Sequence, residues 1–540
     1  MPASAPLAHR PPLVVVANRL PVHYDESEGS WRQSPGGLVS ALRPVAAARH
    51  GSWVGWNDGA GDPPRTGLRL EAIHLSKAEV DGYYLGYANR TLWPAMHGLQ
   101  SFIEHEPHWW EAYRRVNERF AERTAGCAAP GATVWIHDYH LLLAPRFLAE
   151  RRPDVRIGVF LHTPVPDPAT ACLVPEWDAL AHGLRAAALI GTQRVADAER
   201  LKRSLATATQ SGPRVVAHPI SIDARQVREL RHDPVATAVA ERVRRTIARG
   251  RPLLVGVDRM DYTKGLPERL HAFADVLALR RRRSEPDVAL VQVASPSRTA
   301  VPAYAELRRQ VRGLVADIND RFESPAGPVV HLIEESVPFR RVMGYFLAAD
   351  VALVTPLCDG MNLVAKEFAT ARAGDDVALV LSRTAGAADE LGENAVLVDP
   401  TDPVDLAGGI EQALQRRGMS GRLDSARLAE RIERHDVHAW ARDFLGDIEG
   451  DPEPALAGST RATVPSSRPH RHDETGLNMR HPGNPSAMEQ TTTNNIPSMT
   501  CTSDSRPTPH RITERGASGV YVSGGALLLA IVVLLLIIAL

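Results

Sequence analysis

Between residues 11 and 400, short apolar, β-branched runs recur, separated by helix-length segments. Examples are Leu13-Val-Val-Val-Ala, Thr133-Val-Trp-Ile-His, Ile157-Gly-Val-Phe-Leu-His, Ala188-Leu-Ile-Gly, Val288-Ala-Leu-Val-Gln-Val-Ala294, Val377-Ala-Leu-Val-Leu and Ala395-Val-Leu-Val. Strands buried on both faces read this way, and their alternation with helices implies parallel sheets. About a dozen such strands exceed one comfortable doubly wound sheet. The pattern therefore predicts two α/β domains with ligands in the cleft between them. The polar, arginine-rich stretch 233–251, after His218-Pro-Ile-Ser-Ile-Asp223, is the expected crossing between them.

Charged and glycine residues gather where these strands end, which is where open α/β sheets bind ligands. Val257-Asp-Arg-Met-Asp-Tyr-Thr-Lys-Gly-Leu-Pro-Glu-Arg269 offers fixed positive charge at Arg259 and Lys264. Thr355-Pro-Leu-Cys-Asp-Gly-Met-Asn-Leu-Val-Ala-Lys-Glu367 adds carboxylates at Asp359 and Glu367 beside a helix start. Together they suit a sugar joined to a diphosphate. In the first half, Val16-Ala-Asn-Arg19 ends a strand, and Ser34-Pro-Gly-Gly37 precedes a helix whose amides can approach an anion. Aromatic residues crowd into Asp81-Gly-Tyr-Tyr-Leu-Gly-Tyr-Ala-Asn-Arg-Thr-Leu-Trp-Pro94, where rings with polar tips fit carbohydrate as well as they fit a helix edge. Trp135-Ile-His-Asp-Tyr-His140 and Phe160-Leu-His-Thr-Pro-Val-Pro166 bring three histidines and Asp138 to two further strand ends.

Composition narrows the choices. With 62 basic and 63 acidic residues the net charge is −1, so no global field draws nucleic acid, and any anion site is local. Four scattered cysteines without metal-ligand spacing, and no secretory signal, read as reduced thiols in a cytoplasmic protein. No Walker loop and no Gly-x-Gly-x-x-Gly fingerprint is present. From residue 450 to 519 the chain turns rich in Pro, Ser, Thr, His and Arg, as a disordered linker does. The uncharged stretch from Val520 to Leu540 would span about 30 Å as a helix and is expected to anchor the protein in a membrane.

Seven segments carry a specific resemblance: Asn18-Arg19, Ser34-Pro-Gly-Gly37, Tyr83-Tyr84 with Leu92-Trp93-Pro94, Trp135 to His140, Asp258 to Arg269, Ser297-Arg298 and Asp359 to Glu367. In this order they resemble trehalose-6-phosphate synthases, over roughly residues 11–447. The resemblance implies a GT-B fold of two Rossmann-like domains, plus the linker and hydrophobic helix. It implies an acceptor domain at 11–230, a nucleotide-sugar domain at 231–430, and a helix at 431–449 returning to the first domain. The activity it implies is transfer of glucose from UDP-glucose to glucose 6-phosphate, with retention, needing no metal or other cofactor.

By position, Arg259 and Lys264 would hold the diphosphate and stabilise the leaving nucleotide. Asp359, Gly360, Met361, Asn362 and Leu363 would position glucose and phosphates, Glu367 the ribose, and Gly36 and Gly37 would also serve the donor. Arg19, Tyr84, Trp93 and Arg298 would clamp the acceptor, with Asp138 and His162 beside the reacting sugars. The implied partners are the two substrates, with self-association left open. Three departures stand out. Cys358 replaces an arginine and so removes an expected partner of Asp359, Ser221 replaces a glycine, and Thr192-Gln-Arg194 is atypical. A related synthase with another donor or acceptor, such as a glucosylglycerol-phosphate synthase, or a silent sugar-phosphate-binding regulator, fits the same clamps.

Overall fold

The computed structural model describes residues 12–450, apart from 26–28, 34–36, 58–60, 62, 65–66, 207–211 and 417. Seven strands form one sheet, in the order β5-β4-β1-β6-β7-β8-β9. They are β1 (Leu13–Arg19), β4 (Ser52–Trp56), β5 (Arg69–Ile73), β6 (Thr133–His137), β7 (Arg156–Phe160), β8 (Leu189–Thr192) and β9 (Arg214–Ala217), while β2 (Val22–Asp25) and β3 (Ser30–Gln33) make a separate antiparallel hairpin. A six-stranded sheet follows, ordered β12-β11-β10-β13-β14-β15. Its strands are β10 (Leu253–Arg259), β11 (Ala289–Ser295), β12 (Val330–Ile333), β13 (Val351–Val354), β14 (Ala378–Ser382) and β15 (Val396–Val398). Every pairing in both sheets is parallel. The β-branched runs make central strands because helices cover both faces, as the unbroken burial of β6 and β13 shows.

Strand order reverses between β1 and β6 in the first sheet and between β10 and β13 in the second. A reversal sends neighbouring connections to opposite faces and leaves a crevice at the carboxyl ends. Arg19 and Asp138 stand at the first crevice, Arg259 and the loop after β13 at the second.

The arginine-rich stretch does not cross between the sheets. It contains the helix Pro234–Val243, whose buried Ala236, Val239 and Val243 recur at helical spacing. That helix packs on Phe339–Ala348 so closely that a Cβ on Gly344 would lie 2.6 Å from Val239. The chain crosses earlier, at 218–223, where the amide of Ile220 bonds Gln193 and its carbonyl receives the ammonium of Lys366.

The helix Val437–Glu449 lies against the first sheet. Trp440 and Phe444, both fully buried, pack on Trp135 and meet Phe160 edge-on, with ring centroids 5.0–5.3 Å apart. Glycines make the room: a Cβ on Gly158 would sit 2.3 Å from Ile448, and one on Gly191 2.5 Å from Phe444. Among the described residues no helix is long and apolar enough to cross a membrane, and the expected linker and the 520–540 helix lie outside them.

Phe444→Ala should remove the centre of this contact and lower stability by about 3–5 kcal/mol. Urea unfolding followed by tryptophan fluorescence measures it, and a loss below about 1 kcal/mol would contradict the packing described.

Candidate active site

The two crevices meet around one carboxylate, Asp261, which is fully buried just beyond β10. Its Oδ1 accepts the Thr263 amide and hydroxyl at 3.1 Å and the Trp93 indole N–H at 3.3 Å. Its Oδ2 accepts Arg298 Nη1 at 2.8 Å and the Tyr304 hydroxyl at 3.3 Å, with Arg259 Nη2 3.6 Å away. Burial alone would raise its pKa, yet Arg298, Arg259 and Lys264 hold it to about 2. Residues from both halves of the chain are thus gathered on one anion.

Arg298 is held through both of its Nη nitrogens. Its backbone is left-handed, φ 44°, its Nη2 donates to Tyr139 at 3.2 Å, and its guanidinium lies 4.0 Å from the Trp93 ring centroid. Its Nε is buried without a partner, a donor still to be used. Arg19 ends β1 and spreads over Trp56 and Tyr84 at 4.5 and 5.3 Å. Tyr84 sits on a widened helical segment, Val80–Leu92, closed by the Trp93 amide reaching five residues back to Ala88. Burial would raise its phenol, but Arg298, Arg19 and Arg259 pull it below the ordinary value. Cations and rings with polar tips together make a pocket for a small dianion.

Asp138 follows β6 at φ 73°, ψ 171°, a backbone region that costs a non-glycine residue about 1–3 kcal/mol. The strain aims its carboxylate at the amide of His162, 3.1 Å away. Burial lifts its pKa to about 6 against the pull of the Tyr139, His162 and Thr163 amides.

His162 does not have the free imidazole that a reacting group needs. Its Nδ1 is 3.4 Å from the Gln193 amide nitrogen and its Nε2 is 3.1 Å from His137 Nδ1. Gln193 Oε1 accepts the Ile220 amide, so its nitrogen donates to His162, and His162 Nε2–H then donates to His137. Burial holds His162 to about 3, hence neutral. Its contribution passes through the backbone, since a Cβ on Gly360 would lie 2.0 Å from the His162 carbonyl oxygen.

On the other side, Lys264 Nζ donates to Asp359 Oδ2 at 2.5 Å, and Asn362 Nδ2 donates to the same oxygen at 3.1 Å. Asp359 therefore has a cation although Cys358 stands beside it; Lys264 outweighs burial and lowers its pKa. Gly265 brings this loop to 2.5 Å from the Thr355 carbonyl, measured from a built Cβ, and its φ of 63° suits glycine. Gly360 and the buried Met361 lead to Asn362, φ 74°, and then Leu363 opens the helix Leu363–Ala371 without a side-chain cap. Its first amides are available to an anion. Glu367 lies one turn on, half-buried, with no cation beside it among the described residues, and burial raises its pKa to about 7. Gly36 is outside the described residues, and Gly37 begins the helix Gly37–Ala48.

The structure brings Arg19, Tyr84, Trp93, Asp138, Arg259 and Arg298 to one end of the cleft and Lys264, Asp359 to Leu363 and Glu367 to the other. The sequence reading missed Asp261, Tyr139 and Tyr304 as site residues, though an Asp two positions after Arg259 and three before Lys264 was the available signal. It also left Arg269 without a role. Fully buried, Arg269 donates to Asp258 at 2.5 Å, Gln292 at 2.8 Å and the Thr355 hydroxyl at 2.9 Å, so it joins β10, β11 and the loop after β13 beneath the site.

The sequence model of glycosyltransferase family 20 matches residues 11–450. The trehalose-6-phosphate synthase of Mycolicibacterium smegmatis is 38% identical over 481 residues, covering 84% of this chain and 95% of that protein. The UDP-forming α,α-trehalose-phosphate synthase of Burkholderia xenovorans, solved in complex with glucose 6-phosphate, superposes with a TM-score of 0.74 at 30% identity, over 81% of this chain and all of that one. The E. coli enzyme, solved with UDP-2-fluoro glucose, gives 0.73 at 29% identity, over 81% and 98%.

Glu367→Gln tests the uncompensated carboxylate. Its pKa is raised from 4.5 to about 7, so the folded state holds a proton that the unfolded state has lost between those values. Stability from this group is present below 4.5 and lost as pH rises through 7. The glutamine variant should melt higher than the parent at pH 8 and the same at pH 4; an identical difference at both would contradict the assignment.

Proposed function

This chain belongs to glycosyltransferase family 20, and from that membership we propose that it transfers glucose from UDP-glucose to glucose 6-phosphate, with retention, giving α,α-trehalose 6-phosphate and UDP. The enzyme is a UDP-forming hexosyltransferase of GT-B architecture. The observation that carries the reading is the gathering of Arg298, Arg259, Trp93 and Tyr304 on Asp261, facing Lys264 and the loop after β13.

At the acceptor end, the unpartnered Arg298 Nε and the Arg19 guanidinium take the phosphate of glucose 6-phosphate, with Tyr84 and Trp93 enclosing it. Asp138 accepts from a hydroxyl of the reacting sugars. Toward the donor, Arg259 reaches from the acceptor end and Lys264 from the opposite one to meet the diphosphate, Asp359 to Leu363 hold glucose and phosphate oxygens, and Glu367 accepts from the ribose hydroxyls, whose binding offsets its half-buried charge. Gly36 and Gly37 add backbone amides on the donor side.

Reaction proceeds on one face of the donor sugar. The bond from C1 to the diphosphate oxygen breaks, the anomeric hydroxyl oxygen of glucose 6-phosphate bonds to C1, and its proton passes to the departing phosphate oxygen. Arg259 and Lys264 are already in place for the charge that develops there, so little reorganisation is needed. The fixed guanidinium and ammonium groups supply this stabilisation, with no cofactor assigned a step. His162 positions Asp138 and Gly360 rather than exchanging a proton.

UDP release by a chain of residues 1–450, with the sugar product identified by mass and NMR, tests the reaction. Release should require glucose 6-phosphate and give the α,α-1,1-linked disaccharide phosphate. A preference of about tenfold for GDP- or ADP-glucose, about 1.4 kcal/mol, would overturn the donor. Lys264→Ala should reduce kcat by about a hundredfold or more while the protein stays folded; near-normal turnover would remove its leaving-group role.

Attachment of this catalytic part to a membrane through Val520 to Leu540 is proposed on the uncharged sequence of that stretch. The full chain should sediment with membranes and the 1–450 chain should not; equal partition would overturn it.

A further inference from the structure

A cavity of about 260 Å³ lies beside the Arg298 loop, between the ends of β11 and β12 and the helix Pro302–Arg321. Its walls include Met260, Pro296, Tyr304, Arg308, Arg312 and Glu334, and none of the donor or acceptor residues named above. Loop residues on either side of Arg298 line it, whereas the Arg298 side chain turns to Asp261 and Tyr139.

Arg308 and Arg312 are one helical turn apart, and each gives its Nε to a different oxygen of Glu334, both at 2.7 Å. One carboxylate thus orients two guanidinium groups side by side. Their Nη nitrogens carry no hydrogen bond among the described residues. The trio keeps one net positive charge, and paired planar forks match the oxygens of a phosphate. Met260, Pro296 and the Tyr304 ring add an apolar surface opposite, suited to the face of a sugar.

We propose that this cavity is a second site for a phosphate monoester of hexose size, separate from the reaction cleft, and that its occupant stabilises the working position of Arg298. The second half rests on the acceptor role given to Arg298 under the proposed function. Tyr304 connects the two places. Its ring is a wall of the cavity, while its hydroxyl bonds Asp261 and accepts Arg298 Nη1 at 2.5 Å. A ligand bridging the 296–299 loop and the arginine pair would therefore hold the left-handed backbone of Arg298, φ 44°, in the conformation that points its guanidinium into the cleft. Binding at one place favours binding at the other, and the coupling is reciprocal.

Equilibrium dialysis of the full-length enzyme with radiolabelled glucose 6-phosphate, in saturating UDP, tests this. The parent should bind two molecules per chain, and Arg308→Gln/Arg312→Gln should bind one. The rate against glucose 6-phosphate should be sigmoidal for the parent. For the double variant it should be hyperbolic, with half-saturation raised about fivefold and kcat unchanged. Glu334→Gln, which keeps both arginines but releases them, should weaken the second molecule without abolishing it. One molecule per chain in the parent overturns the site while leaving the proposed function standing, and this count decides the matter even if the double variant does not fold. The same stoichiometry and curve in parent and double variant also overturn it. No binding at all overturns both.

Discussion

A carboxylate with no exposure to water is tolerable only where cations and donors surround it, and Asp261 has all of its surroundings supplied by the cleft. Trp93 comes from the first half of the chain, Arg259, Arg298 and Tyr304 from the second. Arg298 is the one of its cations within hydrogen-bond distance, and removing it would break a buried ion pair, a loss of roughly 3–5 kcal/mol in comparable pairs. The same arrangement keeps two arginines from drifting toward other anions before the substrate arrives. Positioning of Arg298 and Arg259 and cohesion of the two halves are thus one electrostatic problem with one solution.

The departures from the family pattern fall around this arrangement and alter its margins rather than its centre. Asp359 draws its charge balance from Lys264, so the loop after β13 is neutralised despite Cys358, whose own thiol is pushed up to about 12 by burial and by Asp359 and Asp197. Ser221 occupies a backbone outside the left-handed region, where glycine confers nothing special. The atypical Gln193 and Arg194 have tasks here. Gln193 fixes Ile220 and the His162 tautomer, and Arg194 joins Asp389 in a two-pronged pair at 2.6 and 2.8 Å that spans the halves.

Strands were legible because burial on both faces leaves uniform apolar runs such as 351–354, and the charged residues just beyond them marked the crevices. The stretch 233–251 misled because its many arginines hide the three small apolar residues that bury one helical face. His162 was expected beside the reacting sugars, but sequence shows the residue and not its ring partners, both of which are far away in the chain. Asp261 and Tyr304 escaped notice for the opposite reason. Their importance comes from convergence across the fold, and no local spacing announces that Tyr304 and Trp93 will meet the same carboxyl group.

The seating of Val437–Glu449 on β7 and β8 also bears on how the chain is made. The first sheet is complete in sequence by Ala217, yet the pocket around Trp135, Phe160, Gly158 and Gly191 is filled only by Trp440, Phe444 and Ile448. On the ribosome, residues 218–436 must be synthesised before that face can close, an interval of roughly tens of seconds at ordinary elongation rates. During it the N-terminal layer carries an open aromatic surface, so the newly made first half is the part of this protein that chaperones would have to shield.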